Sequence, residues 1–298
     1  MKTTLLVPTD FSDNAKQALE WAYWMAEHMD ARIRLLHVAE LQTVAIPEMP
    51  ADMFDEEESN ALAAAKDVIR ELGMDADRID IEVTSANLYR PPARVIQEVA
   101  LRIGVRMIVM GTHGRRGLRR LLLGSVTEEV VRHAASPVLV VPLSKKPFSK
   151  APVSRLFVPL DFSGSTEVLV EEAGTMARVF GAKVDLFHAV DMPYLPYVGL
   201  ANDPLKDIEK RALNAAGEEL QELAAALHED GLEVEVHKRT GPAGNTILEA
   251  ARDNDADLIV MASHGRHGLD RMLLGSVTEK VLRGAECPVL VVRTPPES

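Results

Sequence analysis

The sequence predicts an α/β fold built twice, each copy a five-stranded parallel sheet flanked by helices. Three observations predict it. Short apolar runs of Val, Ile, Leu and Met alternate with segments of helical periodicity along the whole chain. The runs are apolar at consecutive positions, as in strands buried on both faces of a parallel sheet. The second half also repeats the first. Leu122–Glu128 (LLGSVTE) recurs as Leu273–Glu279, Pro137–Val141 (PVLVV) as Pro288–Val292, and Asp10-Phe11-Ser12 as Asp161-Phe162-Ser163. The offsets 124 to 275, 137 to 288 and 10 to 161 are each 151, so a whole domain is duplicated. Domains are expected over 1–143 and 154–298, joined by a linker at 144–153 rich in Pro, Ser and Lys.

In the first copy, Thr3–Pro8 reads as a strand and Pro8–Ser12 as a turn, with Ser12 as the cap of the next helix. That helix carries Ala15, Ala18, Leu19, Ala22, Met25 and Ala26 at helical spacing. Its Trp21 and Trp24 read as packing residues. Ile33–Val38 is the second strand, and 40–52, with Pro47 and Pro50, a loop. An acidic, Ala-rich helix over 56–72 ends at Gly73. Ile79–Val83 is the third strand. A helix over 91–103 has Pro at its start, where the first N–H has no partner to lose. Met107–Met110, a helix over 125–134 and Val138–Val141 complete the copy.

The second copy repeats the order. Strands are expected over 155–159, 183–188, 232–236, 257–261 and 289–292, and helices over 164–180, 205–229, 243–254 and 276–285.

Composition narrows the function. A chain of 298 residues with 47% hydrophobic content can bury a core in each copy, built from aliphatic residues because aromatics are only 4%. The net charge of −12 argues against non-specific nucleic-acid or anionic-membrane binding. Cys287 is the single cysteine, so no intrachain disulfide or cysteine metal cluster forms, and a buried inert thiol is expected. The first apolar run is too short for a signal peptide, and no run approaches a membrane span; a cytoplasmic protein is expected.

Three pieces fall at the carboxyl ends of expected strands, where ligands bind in open α/β sheets. They are Pro8-Thr9-Asp10, His37-Val38, and the stretch Met110-Gly-Thr-His-Gly-Arg-Arg-Gly-Leu-Arg-Arg-Leu-Leu-Leu-Gly-Ser125. The last joins a strand to a helix N-terminus through a glycine-rich loop, the geometry that presents free N–H groups and a positive dipole end to phosphate. Gly111 and Gly114 let backbone approach an anion. Asp10, an acceptor, suits ribose hydroxyls or an indirectly bound metal. Arg115, Arg116, Arg119 and Arg120 suit a polyphosphate. Plainer readings stand beside these: Gly-x-x-Gly is common in turns, the arginines fit a solvated face, and Asp10 fits a helix-capping turn. The joint occurrence, twice over, favours a ligand site. His113 and His264, inside the loops, read as phosphate contacts; His37 and His188 read as structural. No His-x3-His or His-Glu-x2-His spacing supports zinc.

On these residues the chain resembles a tandem universal stress protein of the ATP-binding class, whose pattern is Gly-x2-Gly-x9-Gly-[Ser/Thr]. The first copy fits it with Gly111, Gly114, Gly124 and Ser125. The resemblance implies Rossmann-like domains of the adenine nucleotide alpha hydrolase-like kind. It implies adenine and ribose contacts at Asp10 and Val38 beside Pro8 and Thr9. It implies phosphate contacts at Gly111, His113, Gly114, Gly124, Ser125, Val126 and Thr127, with Met110 beside them in the nucleotide site. The matching second-copy positions are Pro159, Leu160, Asp161, Ala189, Met261, Ala262, His264, Gly265, Gly275, Ser276, Val277 and Thr278. The cofactor implied is ATP, with Mg²⁺ or Mn²⁺ at its phosphates, and the role a nucleotide-dependent one in stress response. The resemblance also implies pairing through the last strands, here within one chain, and a possible homodimer.

The second copy departs from the pattern. Ala262 replaces the first glycine, and its methyl is expected to narrow the approach to phosphate. Ala189 replaces Val38, His267 replaces Arg116, and Asp270 replaces Arg119. A weaker, regulatory second site is therefore expected.

Catalysis has little support. There is no Gly-x4-Gly-Lys-[Ser/Thr] loop, no Gly-x-Gly-x-x-Gly after a first strand, no Gly-x-Ser-x-Gly elbow, and no evident base for an attacking water. A slow ATPase or phosphotransferase using the same crevice is one alternative. An adaptor without nucleotide is another.

Overall fold

The computed structural model describes residues 3–40, 51–87, 89–114, 123–144, 153–191, 204–263 and 274–293. The chain divides into two compact units, Met1–Lys150 and Ala151–Ser298.

Unit 1 runs β1 (Thr4–Thr9), α1 (Asp13–His28), β2 (Arg32–Glu40), α2 (Ala51–Glu71), β3 (Ile79–Ala86), α3 (Pro92–Ile103), β4 (Met107–Gly111), α4 (Ser125–His133) and β5 (Val138–Val141). Its strands lie in the order β3-β2-β1-β4-β5, and all four pairings are parallel. The order reverses at β1, which pairs with β2 on one side and β4 on the other. The carboxyl ends of β1 and β4 thus open a crevice at the switch point.

The local reasons are in the sequence. Ser12 caps α1, its hydroxyl accepting from the Ala15 N–H at 3.3 Å. The buried face of α1 carries Ala15, Ala18, Leu19, Ala22, Met25 and Ala26, as the spacing predicts, and one polar residue, Asn14. Trp24 is buried and meets Trp21 edge to face at 5.9 Å, which bears out the packing reading. Gly104 ends α3 at φ +63°, in the left-handed region that suits glycine. Every residue of β4 and β5 is buried, which explains their unbroken apolar runs. Of the expected loop over 40–52, Ala51 and Asp52 form the first turn of α2, and 41–50 lie outside the described residues.

Unit 2 repeats the plan with β6 (Arg155–Leu160), α5 (Thr166–Phe180), β7 (Lys183–Val190), α6 (Pro204–Glu229), β8 (Val234–Thr240), α7 (Ala243–Asp253), β9 (Leu258–Ala262), α8 (Ser276–Gly284) and β10 (Val289–Val292). Its order is β8-β7-β6-β9-β10, again parallel. Two core leucines of unit 1, Leu6 and Leu36, become Phe157 and Phe187, whose rings pack at 5.1 Å.

β8 departs most from expectation, starting at Val234 and running through His237, Lys238 and Arg239 to Thr240, rather than over 232–236. It pairs with β7 as far as Val190↔Thr240. Backbone pairing extends an edge of the unit's sheet past its apolar residues, so hydrophobicity alone marks it too short. Cys287 is half-buried rather than fully buried, and desolvation pushes its thiol up to about 12, so it stays protonated. Among the described residues no helix is long and apolar enough to cross a membrane.

Candidate functional site

At the switch point of unit 1, Asp10 follows β1 and uses its two carboxylate oxygens differently. Oδ1 accepts from the Ser12 N–H at 3.1 Å and the Ser12 hydroxyl at 2.6 Å. The capping-turn reading of Asp10 is therefore correct for this oxygen. Oδ2 faces the glycine loop: a Cβ on Gly114 would lie 2.5 Å from it. Gly114 is thus needed because Asp10 is close.

The turn between β1 and α1 is strained. Phe11 has φ +62°, unusual for a bulky residue and costing on the order of 1–2 kcal/mol. Its ring stacks on His37 at 4.8 Å, and its N–H donates to the Thr9 hydroxyl at 3.0 Å. His37 Nδ1 lies 2.8 Å from the Thr9 carbonyl oxygen, tying the ends of β1 and β2 together. This is the structural role expected of His37. Val38, half-buried, follows it on β2.

Asn14 organises the β4 end and is 3% exposed. Its Nδ2 donates to the Val141 carbonyl at 3.1 Å; its Oδ1 accepts from the Thr112 hydroxyl at 3.1 Å and the His113 N–H at 2.9 Å. A Cβ on Gly111 would meet the Asn14 amide at 2.6 Å. Gly111 is therefore glycine to admit Asn14. Thr127, in the first turn of α4, donates its hydroxyl to the Gly111 carbonyl at 2.8 Å, and the Gly124 N–H donates to the Thr112 carbonyl at 2.7 Å. These two bonds dock the start of α4 onto the end of β4.

That helix start suits an anion. Gly124, the N-cap, provides no side-chain cap, which leaves the N–H groups of the first turn, from exposed Ser125 and half-buried Val126 onward, without one. His113 stands against Gly124, its Cα 3.5 Å from where a Gly124 Cβ would be. Its Nδ1 lies 2.9 Å from the Thr112 hydroxyl, while its Nε2 is buried with no hydrogen bond among the described residues. Burial holds the imidazole below its ordinary pKa, favouring the neutral form. Pro8, Thr9, Asp10, Val38, Met110, Gly111, His113, Gly114, Gly124, Ser125, Val126 and Thr127 thus lie at the strand ends, on the loop and at the helix start around the switch point. Arg115, Arg116, Arg119 and Arg120 lie outside the described residues.

Unit 2 reproduces the frame. Asp161 Oδ1 accepts from the Ser163 N–H and hydroxyl, and Phe162, at φ +56°, stacks on His188 at 4.4 Å. His188 Nδ1 lies 2.7 Å from the Leu160 carbonyl oxygen, and Thr278 donates to the Ala262 carbonyl at 3.0 Å. The Gly275 N–H reaches the Ser263 carbonyl at 3.1 Å, and Gly275 caps α8 without a side chain, ahead of Ser276 and Val277. Pro159, Leu160, Ala189, Met261 and Ala262 stand at the strand ends as in unit 1; His264, Gly265, His267 and Asp270 lie outside the described residues.

At Gly111, the counterpart of Ala262, a Cβ would point at helix α1 and the Asn14 amide. Glycine with asparagine in one unit stands where alanine with serine, Ala262 and Ser165, stands in the other, and Ala262 is half-exposed. Sequence reasoning missed Asn14, Thr112 and Phe11. A signal for Asn14 was present: it is a polar residue on the otherwise apolar buried face of α1.

Each unit is a switch-point α/β domain with an uncapped helix start beside the ends of its central strands. The Universal stress protein family model matches residues 1–142 and 152–293, and the chain belongs to that family as a tandem member. It is 31% identical over 299 residues to a universal stress protein of Mycolicibacterium smegmatis, covering 97% of this chain and 96% of that one. It is 28% identical over 302 residues to universal stress protein Rv2005c of Mycobacterium tuberculosis, covering 97% and 96%. A crystal structure of a universal stress protein from Archaeoglobus fulgidus DSM 4304 superposes with a TM-score of 0.68 at 23% identity, covering 99% of this chain and 97% of that one, a likeness of fold.

Proposed function

We propose that the crevice of unit 1 holds ATP or a closely related adenine nucleotide, and that occupancy governs a regulatory role in stress response. The observation that carries this reading is the uncapped start of α4, with His113 against its N-cap Gly124. A phosphate oxygen there would accept from the helix N–H groups and, once the ring is protonated, from His113 Nε2, which has no hydrogen bond among the described residues. Asp10 and Val38, at the ends of β1 and β2, would contact ribose and adenine. Mg²⁺ or Mn²⁺ would accompany the phosphates and neutralise part of their charge.

Unit 2 is proposed as the weaker site. Leu160 replaces Thr9 and removes the hydroxyl that holds the Phe11 N–H, Ala189 shortens the Val38 side chain, and the second loop carries Asp270 where the first has Arg119.

The test is to purify the protein gently, denature it, and count released nucleotide per chain by chromatography. About one adenine nucleotide per chain is expected. About two would overturn the asymmetry between the units. None, with no binding on adding Mg·ATP, would overturn the nucleotide reading itself.

The free imidazole also gives a spectroscopic test. An anion at Nε2 stabilises the imidazolium, so adding Mg·ATP is expected to raise the depressed His113 pKa, followed by NMR of the ring. Nucleotide binding that left the His113 titration unmoved would remove it from the phosphate site.

A further inference from the structure

Unit 2 carries a second cluster at the other end of its sheet, near the amino ends of β6, β7 and β8. Asp185, on β7, is 0% exposed. His237 Nε2, on β8, lies 3.5 Å from Asp185 Oδ1 and 3.7 Å from Glu235 Oε2. One ligand-type atom from each of the three residues falls within 4.8 Å of the other two. His237 Nε2 is itself buried and makes no hydrogen bond. Arg155, on β6, binds from the other side. Its Nη1 donates to Asp185 Oδ2 at 3.0 Å and Oδ1 at 3.4 Å, and lies 3.7 Å from Glu235 Oε2.

Nothing like this exists at the matching positions of unit 1. Strand registers Ile33↔Ile79 and Val184↔Val234 align Asp185 with Arg34, Glu235 with Asp80, His237 with Glu82, and Arg155 with Thr4. In unit 1, Arg34 makes an ordinary half-exposed ion pair with Glu82 at 3.3 Å and stands 4.0 Å from Asp80. Unit 2 inverts the central charge and introduces an imidazole.

Three ligand-type atoms thus converge on one point beside a fully buried carboxylate. We propose that Asp185, Glu235 and His237 form a binding site for a zinc-class divalent cation. Two of the three ligand-atom spacings are already near those required, and the third is within 4.8 Å. Bonds of about 2.0–2.1 Å in a tetrahedron put neighbouring ligand atoms about 3.3 Å apart, close to the 3.5 and 3.7 Å found here. Asp185 Oδ1, Glu235 Oε2 and His237 Nε2 supply three ligands, and water completes the shell from the exposed side of Glu235 and His237. Arg155 then holds the non-ligating Oδ2 and fixes the Asp185 carboxylate, as outer-shell groups do. One imidazole with two carboxylates suits zinc among the common divalent ions. The site lies at the amino ends of the strands, so it is separate from the nucleotide crevice and does not rest on that reading.

The experiment uses the full chain, stripped by chelator, and titrates Zn²⁺ against a chromophoric chelator and Co²⁺ by visible absorption. Wild type is expected to take up one tight equivalent and to give a tetrahedral cobalt spectrum at that equivalent. His237→Gln, a partly exposed change that should fold, is expected to weaken zinc at least about tenfold and to lose the spectrum. The chain has nine histidines, so this variant separates the site from incidental surface binding. Arg155→Gln supplies an independent readout: Zn²⁺ is expected to raise its thermal midpoint more than that of wild type, because the ion replaces the lost cation beside buried Asp185. No tight binding by wild type, or equal zinc affinity and cobalt spectra in wild type and His237→Gln, would overturn the proposal.

Discussion

Gly114→Asp is expected to strip nucleotide from unit 1 while leaving the fold intact. A Cβ at this position would sit 2.5 Å from Asp10 Oδ2, so the Asp10 carboxylate must shift to admit it, and the new carboxylate adds a second negative charge beside the space proposed for phosphate. Like charges about 4 Å apart cost roughly 4 kcal/mol near a protein surface, and solvent at this exposed residue reduces the figure. A loss of affinity of about a hundredfold, roughly 2.7 kcal/mol, is the expected scale. The fold should survive because Gly114 is exposed and has no positive φ that only glycine favours. Nucleotide released per chain and the thermal midpoint, measured on the same preparation, give the two readouts. Wild-type nucleotide content in this variant would refute the placement of the site.

Gly111→Ala is expected to destabilise unit 1, and Asn14→Ser in the same chain to restore much of the loss. The added methyl meets the Asn14 amide at 2.6 Å. That amide serves the Val141 carbonyl, the Thr112 hydroxyl and the His113 N–H, and displacing it breaks a buried network. Overpacking of this kind costs about 1–3 kcal/mol. The pair Ala262 and Ser165 shows the compatible alternative. A coupling energy of about 1–2 kcal/mol between the two substitutions is therefore expected. The chain's two tryptophans, Trp21 and Trp24, both lie on α1, so denaturant unfolding followed by their fluorescence reports unit 1 selectively. Additive single effects would show that the exchange between units is not compensatory.

Most of the frame was legible in the sequence because parallel strands buried on both faces leave unbroken apolar runs. The duplication then let each weak signal be checked against its copy. β4 and β5 were read nearly to the residue for that reason. β8 was not: half of it is charged, and its extent is set by pairing with β7, which no local pattern records. The site was legible as a set of positions, since glycine, aspartate and serine at strand ends are visible directly. What each does was not. Gly111 reads as a residue cleared for phosphate and proves to be cleared for Asn14, because a Cβ direction depends on which helix lies behind the strand. Asp10 reads as either a capping residue or a ligand contact, and its two oxygens divide between the Ser12 turn and the glycine loop.

The fusion of the two units has a genetic consequence. A protein that assembles from identical subunits must accept every substitution twice, once in each copy. Here each position exists in two separately mutable versions at a fixed one-to-one dose. Arg34 and Asp185 occupy matching strand positions with opposite charge, and His237 stands where the other unit has Glu82. Neither exchange would have to be tolerated by both halves. One unit can thus keep an ancestral ligand while the other explores new chemistry, with no separate gene to regulate and no mixed assemblies to avoid.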